Sequence, residues 1–153
     1  MRDVVINEST FIRALEAECT RHRDDLLSAQ VIRCVLAEHR WLLTAVILGK
    51  YEHQFGVVQC HGVLANGLIS QFHAILADSA KSCLLESGVL PDVTGRFDPH
   101  DAPFVNLAAY AQASMLVTND ARLIKDIVGG RIDERNGFDI VHGRDAAARL
   151  ECV

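Results

Sequence analysis

A chain of 153 residues is the size of one domain, and a composition of 50 % hydrophobic and 23 % charged residues excludes an intrinsically disordered chain. The formal net charge of -5 excludes a generally basic polyanion binder, because phosphate affinity comes from clustered lysine and arginine. Any nucleic-acid contact is then local, drawn from Arg21, Arg23, Arg33, Arg40 and Lys50 or from Arg122, Arg131 and Arg135.

The opening MRDVVINESTF lacks the apolar stretch of a secretory signal, and the run from Trp41 to Leu48 is too short to span a bilayer. A cytoplasmic protein without membrane segments is expected. The cysteines, Cys19, Cys34, Cys60, Cys83 and Cys152, are odd in number and lack CxxC spacing, which predicts reduced, mostly buried thiols and neither a disulfide framework nor a zinc site.

In chain order, residues 3–6 (DVVI) read as a short strand ending at Asn7, and Ser9, Phe11, Ile12 and Leu15 open a helix. Leu26 to Leu36 carry a second helical rhythm. WLLTAV, from Trp41, reads as a buried strand, and Leu48 to Phe55 as a short helix. From Leu68 the spacing of Ile69, Phe72, Ile75, Leu76 and Ala80 predicts a long helix reaching about Leu85. Gly88, Pro91 and Gly95 mark a loop. It leads into Asp98-Pro99-His100-Asp101, where Asp98 suits a helix N-cap, Pro99 the first helical position and Asp101 the third, for a helix running to about Ala113. Met115–Thr118 predicts a strand, Ala121–Val128 a helix stopped by Gly129-Gly130, and Phe138–Val141 a last strand.

Strands separated by helical segments, with no hairpin signals, imply a parallel sheet flanked by helices. In such sheets ligands lie beyond the carboxyl ends of the strands, which singles out Asn7 and Asp120. Asp98, Asp101 and Asp120 supply the carboxylate oxygens that a hard divalent cation prefers. None of the seven histidines has HxxxH or HExxH spacing, and only His100 lies among these acids.

The segment DPHDAPFVNLAAYAQASMLVTNDARL (98–123) resembles the C-terminal half of the PIN-domain family. VVINESTFIRAL (4–15) is similar to that family's opening strand and helix, and RWLLTAVILGKYEHQF (40–55) to its second strand and following helix. The resemblance implies a three-layer α/β sandwich over 1–153 with a central parallel sheet. It implies that Asp101 and Asp120 bind Mg²⁺ or Mn²⁺, that Asn7 stands where a first ligating aspartate is usual, and that Thr118 is the strand-end hydroxyl beside the site. Asp98 is a further candidate ligand. Lys50 falls close to where the family carries a glutamate, which Glu8 or Glu52 would have to replace.

The resemblance further implies a VapC-toxin-like endoribonuclease hydrolysing RNA phosphodiesters, a homodimer and an antitoxin protein partner. A second reading stays open, since Asn7 and Lys50 each remove negative charge from the site: a PIN-like domain without catalysis, acting as a binding or regulatory module. A small-ligand receptor on a flavodoxin-like sheet is disfavoured, because no glycine-rich phosphate loop follows the first strand.

Overall fold

In a computed structural model, which describes residues 1–85, 90–93 and 99–152, Val4, Val5 and Ile6 have no solvent exposure. A strand covered on both faces needs apolar residues at successive positions, and that pattern belongs to parallel sheets clothed in helices. The described residues form β1 (Asp3–Ile6), α1 (Glu8–Thr20), α2 (Arg23–Glu38), β2 (Arg40–Thr44), α3 (Ala45–Val57), α4 (Val63–Ile75), β3 (Ser82–Leu85), α5 (Ala102–Tyr110), β4 (Met115–Thr118), α6 (Ala121–Gly129), α7 (Ile132–Asn136), β5 (Asp139–His142) and α8 (Gly143–Arg149).

Every strand pairing among them is parallel, in the order β3-β2-β1-β4-β5. Helices α1, α2, α4 and α8 pack together, whereas α5 meets α3 and α7, and α7 meets α6. The chain is therefore the three-layer α/β sandwich expected. No helix among the described residues is long and apolar enough to cross a membrane.

The order places β1 between β2 and β4, so successive connections leave β1 in one direction and return past it in the other. The crevice outside the carboxyl ends of two such neighbours is where open α/β sheets receive ligands. Here those ends carry Asn7 on one side and Thr118, Asn119 and Asp120 on the other.

An aromatic cluster fixes what covers this end. Phe11 of α1 lies 4.9 Å from Tyr51 of α3 between ring centroids, and Trp41 of β2 lies 4.9 Å from Phe72 of α4. Buried Tyr51 donates its hydroxyl to the carbonyl of Ile6, tying α3 to the last residue of β1. Burial pushes the phenol well above its ordinary range, and the nearby Glu8 carboxylate adds to the effect, so Tyr51 stays a neutral donor.

Several local expectations are corrected. The helix through Leu68 stops at Ile75 rather than continuing to Leu85, because Asp78 accepts from the Ala80 amide (2.9 Å) and Ser82 Oγ donates to the Ile75 carbonyl (2.7 Å). These short polar side chains divert the backbone from helix. The freed SCLL segment then pairs with β2 as an edge strand. The strand expected from Trp41 ends at Thr44, whose Oγ1 caps α3 by accepting from the Ile47 amide. Helix α5 begins at Ala102, later than Pro99, and Asp101 is its N-cap residue instead of its third position. The Asp101 carbonyl takes the Phe104 and Val105 amides, and Pro103, which has no amide hydrogen, fits the first turn. The capping and ligand roles expected of Asp98 lie outside the described residues. Helices α7 and α8 are too short to show a periodicity.

The cysteine expectation is also overturned. Cys19 is bonded to Cys60 and Cys34 to Cys152, leaving Cys83 as a free thiol. Separations of 41 and 118 residues carry no motif. Packing of α1 on α4 and of α2 on α8 brings these segments together. Beside the first bond, Glu18 Oε2 accepts from the Leu64 amide at 3.0 Å, which caps α4 where its N-cap residue Gly62 has no side chain. A Cβ at Gly62 would lie 1.8 Å from that oxygen.

Candidate functional site

Asn7 follows β1 with extended backbone and is 1 % exposed. Its Oδ1 accepts from the Ser9 amide (3.1 Å) and from Ser9 Oγ (2.7 Å), capping α1. That assignment fixes the amide orientation, because a backbone N–H only donates. Nδ2 therefore faces away from the helix, and it donates to Asp101 Oδ1 at 3.3 Å. Asp101 makes no side-chain cap to its own helix, so its carboxylate is directed across to β1.

Ser9 has one hydroxyl hydrogen, spent on Asn7. The 3.2 Å contact between Ser9 Oγ and Thr118 Oγ1 must then have Thr118 as donor, with Ser9 also accepting from the Asn119 amide at 3.1 Å. Thr118 Oγ1 in turn accepts from the Asp120 amide at 3.1 Å. Asp120 Oδ1 caps α6, taking the amides of Arg122 (2.9 Å) and Leu123 (3.2 Å). Asp101, Asn7, Ser9, Thr118 and Asp120 thus form one hydrogen-bonded chain across the ends of β1 and β4. The structure brings together four of the residues singled out from sequence.

Two carboxylates and a strand-end hydroxyl are hard oxygen donors, and Mg²⁺ is often held by one or two carboxylates while keeping water at its other positions. Asp101 and Asp120 are the carboxylates of that kind which the hydrogen-bonded chain connects. Asn7 in this geometry offers its N–H₂ towards Asp101, its oxygen being engaged by Ser9.

Arg40 grips Asp3 through Nε (2.8 Å) and Nη2 (2.7 Å) at the amino ends of β2 and β1, the far edge of the sheet. The Asp3 carboxylate raises the guanidinium pKa there, first by hydrogen bonding and then by charge. Lys50 is partly buried, and it is its neighbour Tyr51 that reaches the end of β1. His100 is exposed in the turn before α5. Arg122, exposed in the first turn of α6, is a cation next to Asp120 in sequence.

Sequence reasoning missed a second polar layer behind the first. Thr10 Oγ1 donates to Asn119 Oδ1 (2.8 Å), Asn119 Nδ2 to Ser28 Oγ (2.9 Å), and Ser28 Oγ to the Asp24 carbonyl (2.9 Å). This layer holds the β4 end against α1 and α2. Position 143 must be glycine for it to form, since a Cβ there would sit 2.2 Å from Asn119 Oδ1 and 3.0 Å from Ser28 Oγ. Gly143→Ala is expected to cost about 1–3 kcal/mol, lowering the melting temperature by roughly 3–10 °C. Calorimetry of Gly143→Ala in an Asn119→Ala background should show a clearly smaller loss; equal losses in both backgrounds would contradict the clash.

No protein-family model matches this sequence, and no curated protein or solved structure matches it either.

Proposed function

We propose that this chain is a Mg²⁺- or Mn²⁺-dependent endoribonuclease resembling the PIN-domain toxins of VapC type. The observation that carries the reading is the hydrogen-bonded chain from Asp101 through Asn7, Ser9 and Thr118 to Asp120, which joins segments 94 and 109 residues apart at the sheet's switch point.

A divalent ion there supplies charge neutralisation at a phosphate and activation of water. Asp101 and Asp120 hold it. Asn7 orients Asp101 through Nδ2, and the two α6 amides fix the direction of the Asp120 carboxylate. Thr118 and Ser9 keep α1 and α6 in register, and Arg122 offers a charge to an RNA phosphate at the rim. The same reading carries a homodimer and an antitoxin partner.

The alternative, a PIN-like binding or regulatory module, is favoured by Lys50 and by position 7, which contributes an amide where an acid would add negative charge. Incubating the chain with mixed RNA and Mn²⁺ separates the two. Cleavage is expected from the wild type, with losses of at least about a hundredfold in Asp101→Asn and in Asp120→Asn, the scale of one lost transition-state charge contact. RNA retained on the chain without Mn²⁺-dependent cleavage would instead support the binding module.

A further inference from the structure

Far from the sheet's carboxyl edge, the end of α2 collects side chains that play no part in the proposed RNA site. Cys34 and Glu38 are four residues apart and share one helix face, and His39 is the C-cap residue. A ligand atom from each lies within 4.8 Å of the others, and among the described residues this is the only group of three or more histidine, cysteine, aspartate or glutamate side chains so placed. Cys152, bonded to Cys34, brings a second sulfur to the same point. Cys34, Glu38 and Cys152 line an open groove of about 500 Å³, shared with Arg33 and Gln30.

Two sulfurs, an imidazole and a carboxylate are a thiophilic donor set. Zn²⁺ takes four such ligands tetrahedrally, with Zn–S near 2.3 Å. The imidazole is suitably prepared. His39, 7 % exposed, accepts from the Arg2 amide at Nδ1 (3.2 Å), which leaves Nε2 as the N–H donating to the Leu150 carbonyl (3.3 Å). A backbone carbonyl on one ring nitrogen is how ligating histidines are commonly held, and a cation would take the Nδ1 lone pair in place of the Arg2 amide that now engages it. Arg2 is exposed, so its displaced amide can turn to water.

While the disulfide is closed, neither sulfur is a thiolate, and the set is incomplete. We propose that Cys34, Cys152, His39 and Glu38 form a zinc-type site that exists only when the Cys34–Cys152 bond is open, so that the same two sulfurs carry either a covalent link or a thiophilic divalent cation. Opening requires a dithiol reductant, which delivers two electrons and two protons and leaves as its own disulfide. Both thiols release their protons to solvent as the cation binds. The sulfurs then separate to about 3.8 Å, the span across a tetrahedral centre. Cys152 lies three residues past the end of α8. The surplus negative charge sits beside Arg33. This site is independent of the RNA reading.

The test uses the full chain, either oxidised or reduced with dithiothreitol and desalted without oxygen, titrated with Co²⁺ and then Zn²⁺. The reduced chain is expected to take up an equimolar amount of Co²⁺ with thiolate-to-cobalt charge-transfer absorption, displaced by Zn²⁺, and the oxidised chain to show no such band. Cys152→Ser and His39→Ala should each weaken uptake by more than about tenfold. The Cys19→Ser/Cys60→Ser double variant should leave the charge-transfer band unchanged. Because His39→Ala removes a buried group, the rise in melting temperature on adding Zn²⁺ is read in parallel, and it should be present in the reduced wild type and absent in Cys152→Ser. A reduced chain without the cobalt band, or a band that follows Cys19 and Cys60, overturns the proposal.

Discussion

Asn7→Asp is expected to melt roughly 5–10 °C below the wild type in chelator and to regain that loss when Mn²⁺ is added. In the wild type, Nδ2 of the almost fully buried Asn7 donates to Asp101 Oδ1 at 3.3 Å, while Oδ1 is engaged by Ser9. An aspartate keeps the Ser9 bonds with one oxygen and turns the other towards the Asp101 carboxylate. Two carboxylates so close cannot both remain ionised without a cation between them. An uncompensated buried charge or lost partner costs about 2–3 kcal/mol, which at this chain length gives the quoted change in melting temperature. Mn²⁺ at about a hundredfold above its Kd returns about 2.7 kcal/mol, a matching amount.

The pH dependence has a definite sign. In the variant, repulsion between the introduced carboxylate and that of Asp101 raises the folded-state pKa of the pair above that of free carboxylates. The variant's deficit is therefore absent at acid pH, where both states are protonated, and grows as pH rises through the ordinary carboxylate range. Thermal melts with EDTA and with Mn²⁺ at two pH values read all of this. A variant as stable as the wild type in EDTA and indifferent to Mn²⁺ would show that positions 7 and 101 do not share a cation site.

The second large effect concerns the cross-links. Removing the Cys34–Cys152 bond by a double serine substitution is expected to cost up to about 5 kcal/mol, and removing Cys19–Cys60 up to about 4 kcal/mol, because the closed loops span 118 and 41 residues. These are upper figures, since real unfolded chains are already compact. The longer cross-link should lower the melting temperature by roughly 10–20 °C. Calorimetry of the two double variants under oxidising conditions ranks them. A larger loss from the shorter loop would mean that local packing, rather than loop closure, sets the order. Both bonds reinforce existing packing, that of α2 on α8 and that of α1 on α4, so the expected ranking rests on loop length.

Some of this chain was legible from residues alone. The strands at Val4 and Leu116, the helix after Asp120 and the parallel α/β arrangement are written in runs of neighbouring residues, because burial on both faces and helical spacing are properties of a few consecutive positions. Asn7 and Asp120 could be placed at strand ends for the same reason. What the side chains at those ends do is not local. Asp120 is a cap and the Asp101 side chain is not, and Asn7 points its amide at a carboxylate 94 residues away.

The edge strand β3 was hidden in an apparent helical repeat, since only β2 beside it supplies the hydrogen bonds that make SCLL extended. The cysteine pairs were hidden in the same way, and with them the approach of Cys152 to the locally spaced Cys34, Glu38 and His39. The sequence by itself determined which segments are strands and helices wherever the cause lies within one turn or one strand. Tertiary structure alone decided the sheet order, the disulfides and the convergence of polar groups, because each depends on contacts between residues tens to more than a hundred positions apart, whose closeness is set by packing and leaves no trace in local spacing.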